Sequence, residues 1–222
     1  MNKSIVLLSG GMDSATALSI AKSKRLSCYA LTINYGQKHS TEIEKAKLIA
    51  NHFQVIEHKI IEIDLTVFGG SALTDKSIEI PEKESQGIPV TYVPARNTIF
   101  FSLALAWAEV IGANSIYSGV NAIDYSGYPD CRPEYIEAMQ ELVNLATKAT
   151  VEGNSIAIEA PLLSMNKMDI IKKGIENDVD FSKTVSCYQL TKQSKSCGVC
   201  DSCRIRLKAF EELNLIDQIE YV

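Results

Sequence analysis

Short apolar runs alternate along this chain with stretches whose apolar residues recur every three to four positions. Residues 5–8 (Ile-Val-Leu-Leu) predict a strand, residues 9–14 a turn with two glycines, and residues 15–21 a helix. The same rhythm predicts a second strand over 27–34, a helix over 41–53 and a third strand over 55–63. Residues 68–91 break it, since Gly69-Gly70, charges, Pro81, Gly87 and Pro89 stand without an apolar period. They predict a long loop acting as an active-site cover or an interface. Residues 99–111 predict a helix apolar nearly all round, hence buried, with Asn97 as its N-cap. Later strands are predicted over 115–120 and 155–160. The later helices run over 134–148, from a cap at Ser164 to about 177, and over 204–213. Strands alternating with helices in this way predict an α/β fold with a parallel sheet, whose ligands gather outside the carboxyl ends of the strands.

Composition narrows the classes. At 222 residues and 46% hydrophobic content the chain can bury one full core, with a small appendage at most. Its 22 basic and 27 acidic residues give a net charge of −5, so no general attraction to nucleic acid or to an anionic membrane is expected. The four apolar residues ahead of Ser9 are too few for a secretory core, and 99–113 is short and interrupted by Ser102 and Glu109. A soluble cytoplasmic protein is expected.

The turn at 9–14 carries the first chemistry. Gly10 and Gly11 let the backbone approach a ligand, while Ser9, Ser14 and the free N–H groups of the helix face one hollow where the helix dipole favours an anion. No lysine lies between Lys3 and Lys22, which argues against a Walker loop. A plain turn capped by Asp13 or Ser14 is the competing reading. The segment Ser9 to Ser14 resembles the SGGxDS signature of the PP-loop ATP pyrophosphatases, which hold the pyrophosphate of ATP and expose its α-phosphate to attack.

Four of the six cysteines cluster as Cys187-x9-Cys197-x2-Cys200-x2-Cys203, a ligand pattern for one structural Zn²⁺. An iron–sulfur cluster ranks second and plain packing third, and Cys28 is read as a core residue. Residues 183–208 hold six basic side chains against Asp201 alone. Compensation of a zinc-thiolate centre and an anion-binding surface explain this equally well. Asp124, Tyr128, Asp130 and Arg132 follow the fourth strand, where composition alone favours ordinary loop chemistry. Arg96 and Asn97 fit either a salt bridge with a helix cap or bidentate capture of an anion. His52 and His58 are read as structural. His39 is placed to meet a nucleotide, with a surface role the safer reading.

With Val93 to Asn97 (VPARN), Asp124 to Arg132 (DYSGYPDCR) and the VSCY and CGVCDSC segments of 185–203 added to the loop, the chain resembles the 7-cyano-7-deazaguanine synthases, the nitrile-forming family of the queuosine pathway. Ala95 departs from the glycine expected there. The resemblance implies an adenine-nucleotide α-hydrolase-like, Rossmann-like sheet of five parallel strands flanked by helices, with an ATP-binding domain over 1–180 and a C-terminal four-cysteine zinc-binding segment over 181–222. It implies a homodimer acting on a deazapurine carboxylate, ammonia and ATP with Mg²⁺, without nucleic acid or membrane. ATP would lie on Leu8, Ser9, Gly10, Gly11, Met12, Asp13, Ser14, Ala15, Thr16, Ala17 and Leu18. Asp13, Arg96 and Lys167 would be catalytic, and Asn97, Asp124, Tyr128, Asp130 and Arg132 would bind substrate. The rival within this superfamily is another adenylating enzyme, either an ammonia-dependent amide synthetase or a tRNA-modifying enzyme.

Overall fold

The computed structural model describes residues 2–38, 40–81, 87–123 and 127–222. Five strands, β1 (Lys3–Leu7), β2 (Ser27–Asn34), β3 (Glu57–Glu62), β4 (Ser115–Tyr117) and β5 (Ala157–Glu159), pair in parallel in the order β3-β2-β1-β4-β5. The reversal of strand order at β1 puts a crevice at its carboxyl end, where this topology places ligands. Side chains of β1 and β2 alternate between two cores. Ile5, Leu31 and Ile33 meet α3 (Arg96–Ile111) and α4 (Pro133–Ala146). Val6, Leu8 and Ala30 meet α1 (Met12–Ser23), α2 (Thr41–His52), α6 (Lys167–Glu176) and α7 (Asp201–Glu212). A short α5 (Lys148–Val151) follows α4, its first turn capped by Thr147.

Several local expectations change. Asn97 is not the cap of α3 but lies inside the helix. Ala95 occupies the cap position with left-handed backbone (φ 54°), and the Asn97 N–H is taken by Asp130 Oδ2 at 3.1 Å, so a distant carboxylate does the capping. The α3 helix is not buried all round, since Val110 is 81% exposed and Ser102 faces solvent. The α6 cap is Asn166, whose side chain accepts from the Asp169 N–H at 3.0 Å, rather than Ser164. The described part of 68–91 has no strand and no helix past Phe68, yet it buries Ala72, Leu73 and Ile80 in the core beside α3.

The last forty residues join the same cores. Cys187, Cys200 and Cys203 share the first with β1 and α3, while Ala209 and Phe210 of α7 join the second. His52 bonds the Asp178 carbonyl and His58 the Thr32 hydroxyl, and Cys28 is buried, as expected of structural residues.

Candidate active site

The loop between β1 and α1 is held by its own polar groups. Ser14 Oγ accepts from the Ser9 N–H at 3.1 Å and donates to the Gly11 carbonyl at 3.0 Å, and the Gly11 N–H donates to Ser9 Oγ at 3.3 Å. The cap of α1 is Gly11, with no side-chain cap, so neither Asp13 nor Ser14 serves as a plain N-cap. Gly10 has φ 86°, and a Cβ there would lie 2.2 Å from the Glu42 carbonyl oxygen. Only glycine lets α2 press onto the loop. Gly119 does the same from the other side, where a Cβ would lie 2.7 Å from the Ser14 nitrogen.

This loop floors a cavity of about 230 Å³. Leu8, Ser9, Gly11, Met12, Asp13 and Ser14 line it, while Ala15, Thr16, Ala17 and Leu18 are buried in α1 behind it. The Lys167 ammonium lies 2.8 and 2.9 Å from the two oxygens of Asp13, and both side chains are largely buried (6% and 17% exposed). Arg96 enters from the start of α3, with its guanidinium 5.9 Å from the Tyr35 ring centre. Asn97 and Tyr128 also line the wall. The Asn97 side chain donates to the Asp130 carbonyl at 2.9 Å, and the Tyr128 hydroxyl is 2.8 Å from that of Thr91. Asp130 is buried behind this wall, and Arg132 stands exposed on the surface. Asp124 and His39 lie outside the described residues.

Sequence reasoning missed three contributors. Glu42, in the first turn of α2, reaches the cavity, and burial raises its carboxyl to about 7 against the partial relief of Arg96. Protein atoms surround it, although it keeps some solvent contact through the cavity. Cys131 also faces the cavity, its thiol pushed up to about 12 by burial and by Asp130. The third contributor is the segment leading to the cysteines, which supplies Val185, Ser186 and Tyr188. The Val185 N–H donates to the Gly10 carbonyl at 2.9 Å.

The four cysteine sulfurs lie within 4.8 Å of one another and could hold a metal ion. Backbone N–H groups of Gln189 and Cys197 each donate to Cys187 Sγ at 3.2 Å, which suits a thiolate. The surrounding cations mostly have protein partners: Lys183 with Asp180, Lys195 with Glu220, Arg204 with Asp201, Arg206 with Asp217 and Lys208 with Glu212. Carboxylates outside residues 183–208 thus absorb much of the local positive charge.

A five-stranded parallel sheet with a serine-glycine loop at its switch point, facing a lysine and an arginine, defines an α/β protein of the PP-loop class. The chain belongs to the queuosine biosynthesis protein QueC family, whose profile matches residues 3–214. It is 54% identical to the 7-cyano-7-deazaguanine synthase of Pseudomonas aeruginosa over 219 residues, covering 99% of this chain and 98% of that relative. It is 53% identical to the enzyme of the same name from Coxiella burnetii over 223 residues, covering 100% and 99%. A solved structure similar in fold is the predicted subunit of tRNA methyltransferase from Methanocaldococcus jannaschii, with TM-score 0.51 and 17% identity over 100% of this chain and 93% of that one. No described helix is long and apolar enough to cross a membrane.

Proposed function

We propose that the chain is a 7-cyano-7-deazaguanine synthase, an ATP-dependent ligase that converts 7-carboxy-7-deazaguanine and ammonia to the nitrile. The observation that carries this reading is full-length similarity to synthases of that name, coinciding with a cavity floored by the serine-glycine loop. The carboxylate attacks the ATP α-phosphate and releases pyrophosphate, ammonia displaces AMP to give the amide, and a second ATP activates the amide oxygen. A carboxylate is a poor electrophile, so the protein's task is to position the reactants and to neutralise charge as the adenylate forms.

On this reading Ser9, Gly10, Gly11 and Ser14 hold pyrophosphate, and Asp13 shares its carboxylate between Lys167 and the Mg²⁺ that accompanies ATP. Arg96 and Lys167 balance charge at the reacting phosphate, and Asn97 and Tyr128 contact the deazapurine, with Asp124 adding to them. Asp130 acts by fixing Asn97, and Arg132 by a surface contact. Residues 1–180 form the ATP-binding domain and 181–222 the metal-binding segment. Sulfurs around a tetrahedral zinc lie about 3.8 Å apart, and Cys197 and Cys203 at 4.0 Å suit one structural Zn²⁺. The protein is a cytoplasmic homodimer that uses small molecules and no nucleic acid.

The test is a discontinuous assay with zinc-loaded protein, ATP, Mg²⁺, ammonium and 7-carboxy-7-deazaguanine, following base and nucleotide by mass. Nitrile with AMP, absent in Asp13→Ala, is expected. ATP binding with neither amide nor nitrile would sink the assignment.

A further inference from the structure

We infer that Glu42 is the general base of the nitrogen-transfer steps, an inference that rests on the synthase reading. Those steps release protons that must go somewhere. When ammonia adds to the acyl adenylate, a C–N bond forms and the nitrogen becomes cationic. A proton must leave it before the C–O bond to AMP breaks with its electron pair and the amide appears. After the amide oxygen displaces pyrophosphate from the second ATP, the nitrogen sheds its two remaining protons, and the C–O bond breaks again to give the nitrile and AMP. Each proton passes to the Glu42 carboxylate and then to solvent, one at a time.

The cavity leaves few candidates for this work. Its described lining residues include two carboxylates, Asp13 and Glu42, and no histidine. Both oxygens of Asp13 face the Lys167 ammonium within 2.9 Å, so that carboxylate is already engaged by a fixed positive charge. Lys167 and Arg96 are donors and accept nothing while charged. Glu42 differs in degree, since the Arg96 guanidinium opposes only part of the burial that raises its carboxyl. It sits in the first turn of α2, whose backbone is pressed against Gly10, so its position relative to the phosphate loop is fixed. The Lys45 ammonium ties the same helix to the Phe181–Lys183 turn through the Ser182 carbonyl at 2.9 Å. The titratable and charged groups around the cavity are Arg96 and Tyr35, with Asp13, Lys167, Tyr128, Cys131 and Tyr188 further along the walls. A carboxyl near 7 accepts a proton and returns it to water at neutral pH, as a base that turns over several times per product must. Cys131 cannot serve, because its thiol stays protonated.

Adenylation of the first carboxylate releases no such proton, and this separates the role from simple binding. The experiment compares wild type, Glu42→Gln and Glu42→Asp in two assays. One is carboxylate-dependent ATP–pyrophosphate exchange; the other is kcat/KM for ammonia, expressed per free NH₃, across pH 5.5 to 9. In wild type the ammonia profile should rise about tenfold per pH unit below about 7 and then level. Glu42→Gln should lose this limb and fall about 10²- to 10⁴-fold in amide formation, with exchange within about threefold of wild type. Glu42→Asp should recover part of the rate and keep a limb.

Amide formation by Glu42→Gln within tenfold of wild type would overturn the role. So would an exchange rate that falls as far as amide formation, since Glu42 would then serve binding or structure. Wild-type protein that neither exchanges pyrophosphate nor makes amide would refute the synthase reading itself, and the Glu42 role with it.

Discussion

Asp217→Ala tests how the end of the chain supports the site. The Arg206 side chain is 1% exposed and that of Asp217 3%. Nε and Nη2 of the guanidinium donate to the two carboxylate oxygens at 2.7 and 2.8 Å. Nη2 also meets the Phe181 carbonyl at 3.1 Å, and Nη1 meets the hydroxyls of Thr184 at 2.8 Å and Ser186 at 3.4 Å. Asp217 also accepts from the Tyr221 hydroxyl at 2.5 Å. Removing the carboxylate leaves a buried guanidinium among neutral acceptors, which destabilises by about 3–5 kcal/mol. At about 2–4 °C per kcal/mol for a chain of this size, Tm should fall by about 6–20 °C. The assay is thermal unfolding followed by circular dichroism at fixed metal and protein concentration, because bound metal shifts the midpoint. An apolar pair, Arg206→Met with Asp217→Leu, should regain most of the loss, since no charge is then left buried. A fall under about 3 °C for Asp217→Ala, or a double variant no better than the single one, would refute the argument.

Three further outcomes are expected. Lys167→Met removes the cation beside Asp13 and should lower kcat for AMP release by at least about 10²-fold, whereas a change under about threefold would count against its role. Ala95→Gly relieves a left-handed alanine worth about 1–2 kcal/mol, offset by about 0.5–1 kcal/mol of glycine chain entropy, so Tm should rise, by up to about 6 °C, rather than fall. Glu42 has its carboxyl raised in the folded state from 4.5 to about 7, so folding favours its protonated form. Its contribution to stability is complete below about pH 4.5 and is lost as pH rises to about 7, on the order of 1–3 kcal/mol. Urea unfolding across that range should show Glu42→Gln lacking this part of the decline.

The alternation of strands and helices follows from patterns that are local. Apolar runs at 5–8 and 27–34 and the glycine pair at 10 and 11 are visible without tertiary context, and so is the cysteine spacing. What stayed hidden depends on residues far apart in the chain. Asn97 looks like a cap because polar residues before an apolar helix usually are, but Asp130 supplies the acceptor from thirty-three positions away. Glu42 reads as an ordinary acidic residue in a first helical turn, where the dipole welcomes it. Its signal lay in Tyr35-Gly36-Gln37, at the end of β2, which marks a ligand edge without saying which neighbour faces it. The basic run at 183–208 looked unbalanced because its carboxylate partners, Asp180, Glu212, Asp217 and Glu220, lie outside that run. Val185 and Tyr188 belong to the cavity through folding of the cysteine segment, and no local pattern announces that.

The bond from the Val185 N–H to the Gly10 carbonyl joins the strand of chain entering the cysteine cluster to the loop under the cavity. On the proposed reading a metal on the cysteines and a nucleotide on the loop would share this one peptide contact, and equilibrium linkage would make any influence mutual. Whatever factor the metal contributes to nucleotide affinity, the nucleotide returns to metal affinity. If that factor exceeds one, a chelator would behave toward this protein as a remote antagonist of ATP, and an abundance of ATP would slow the escape of the metal.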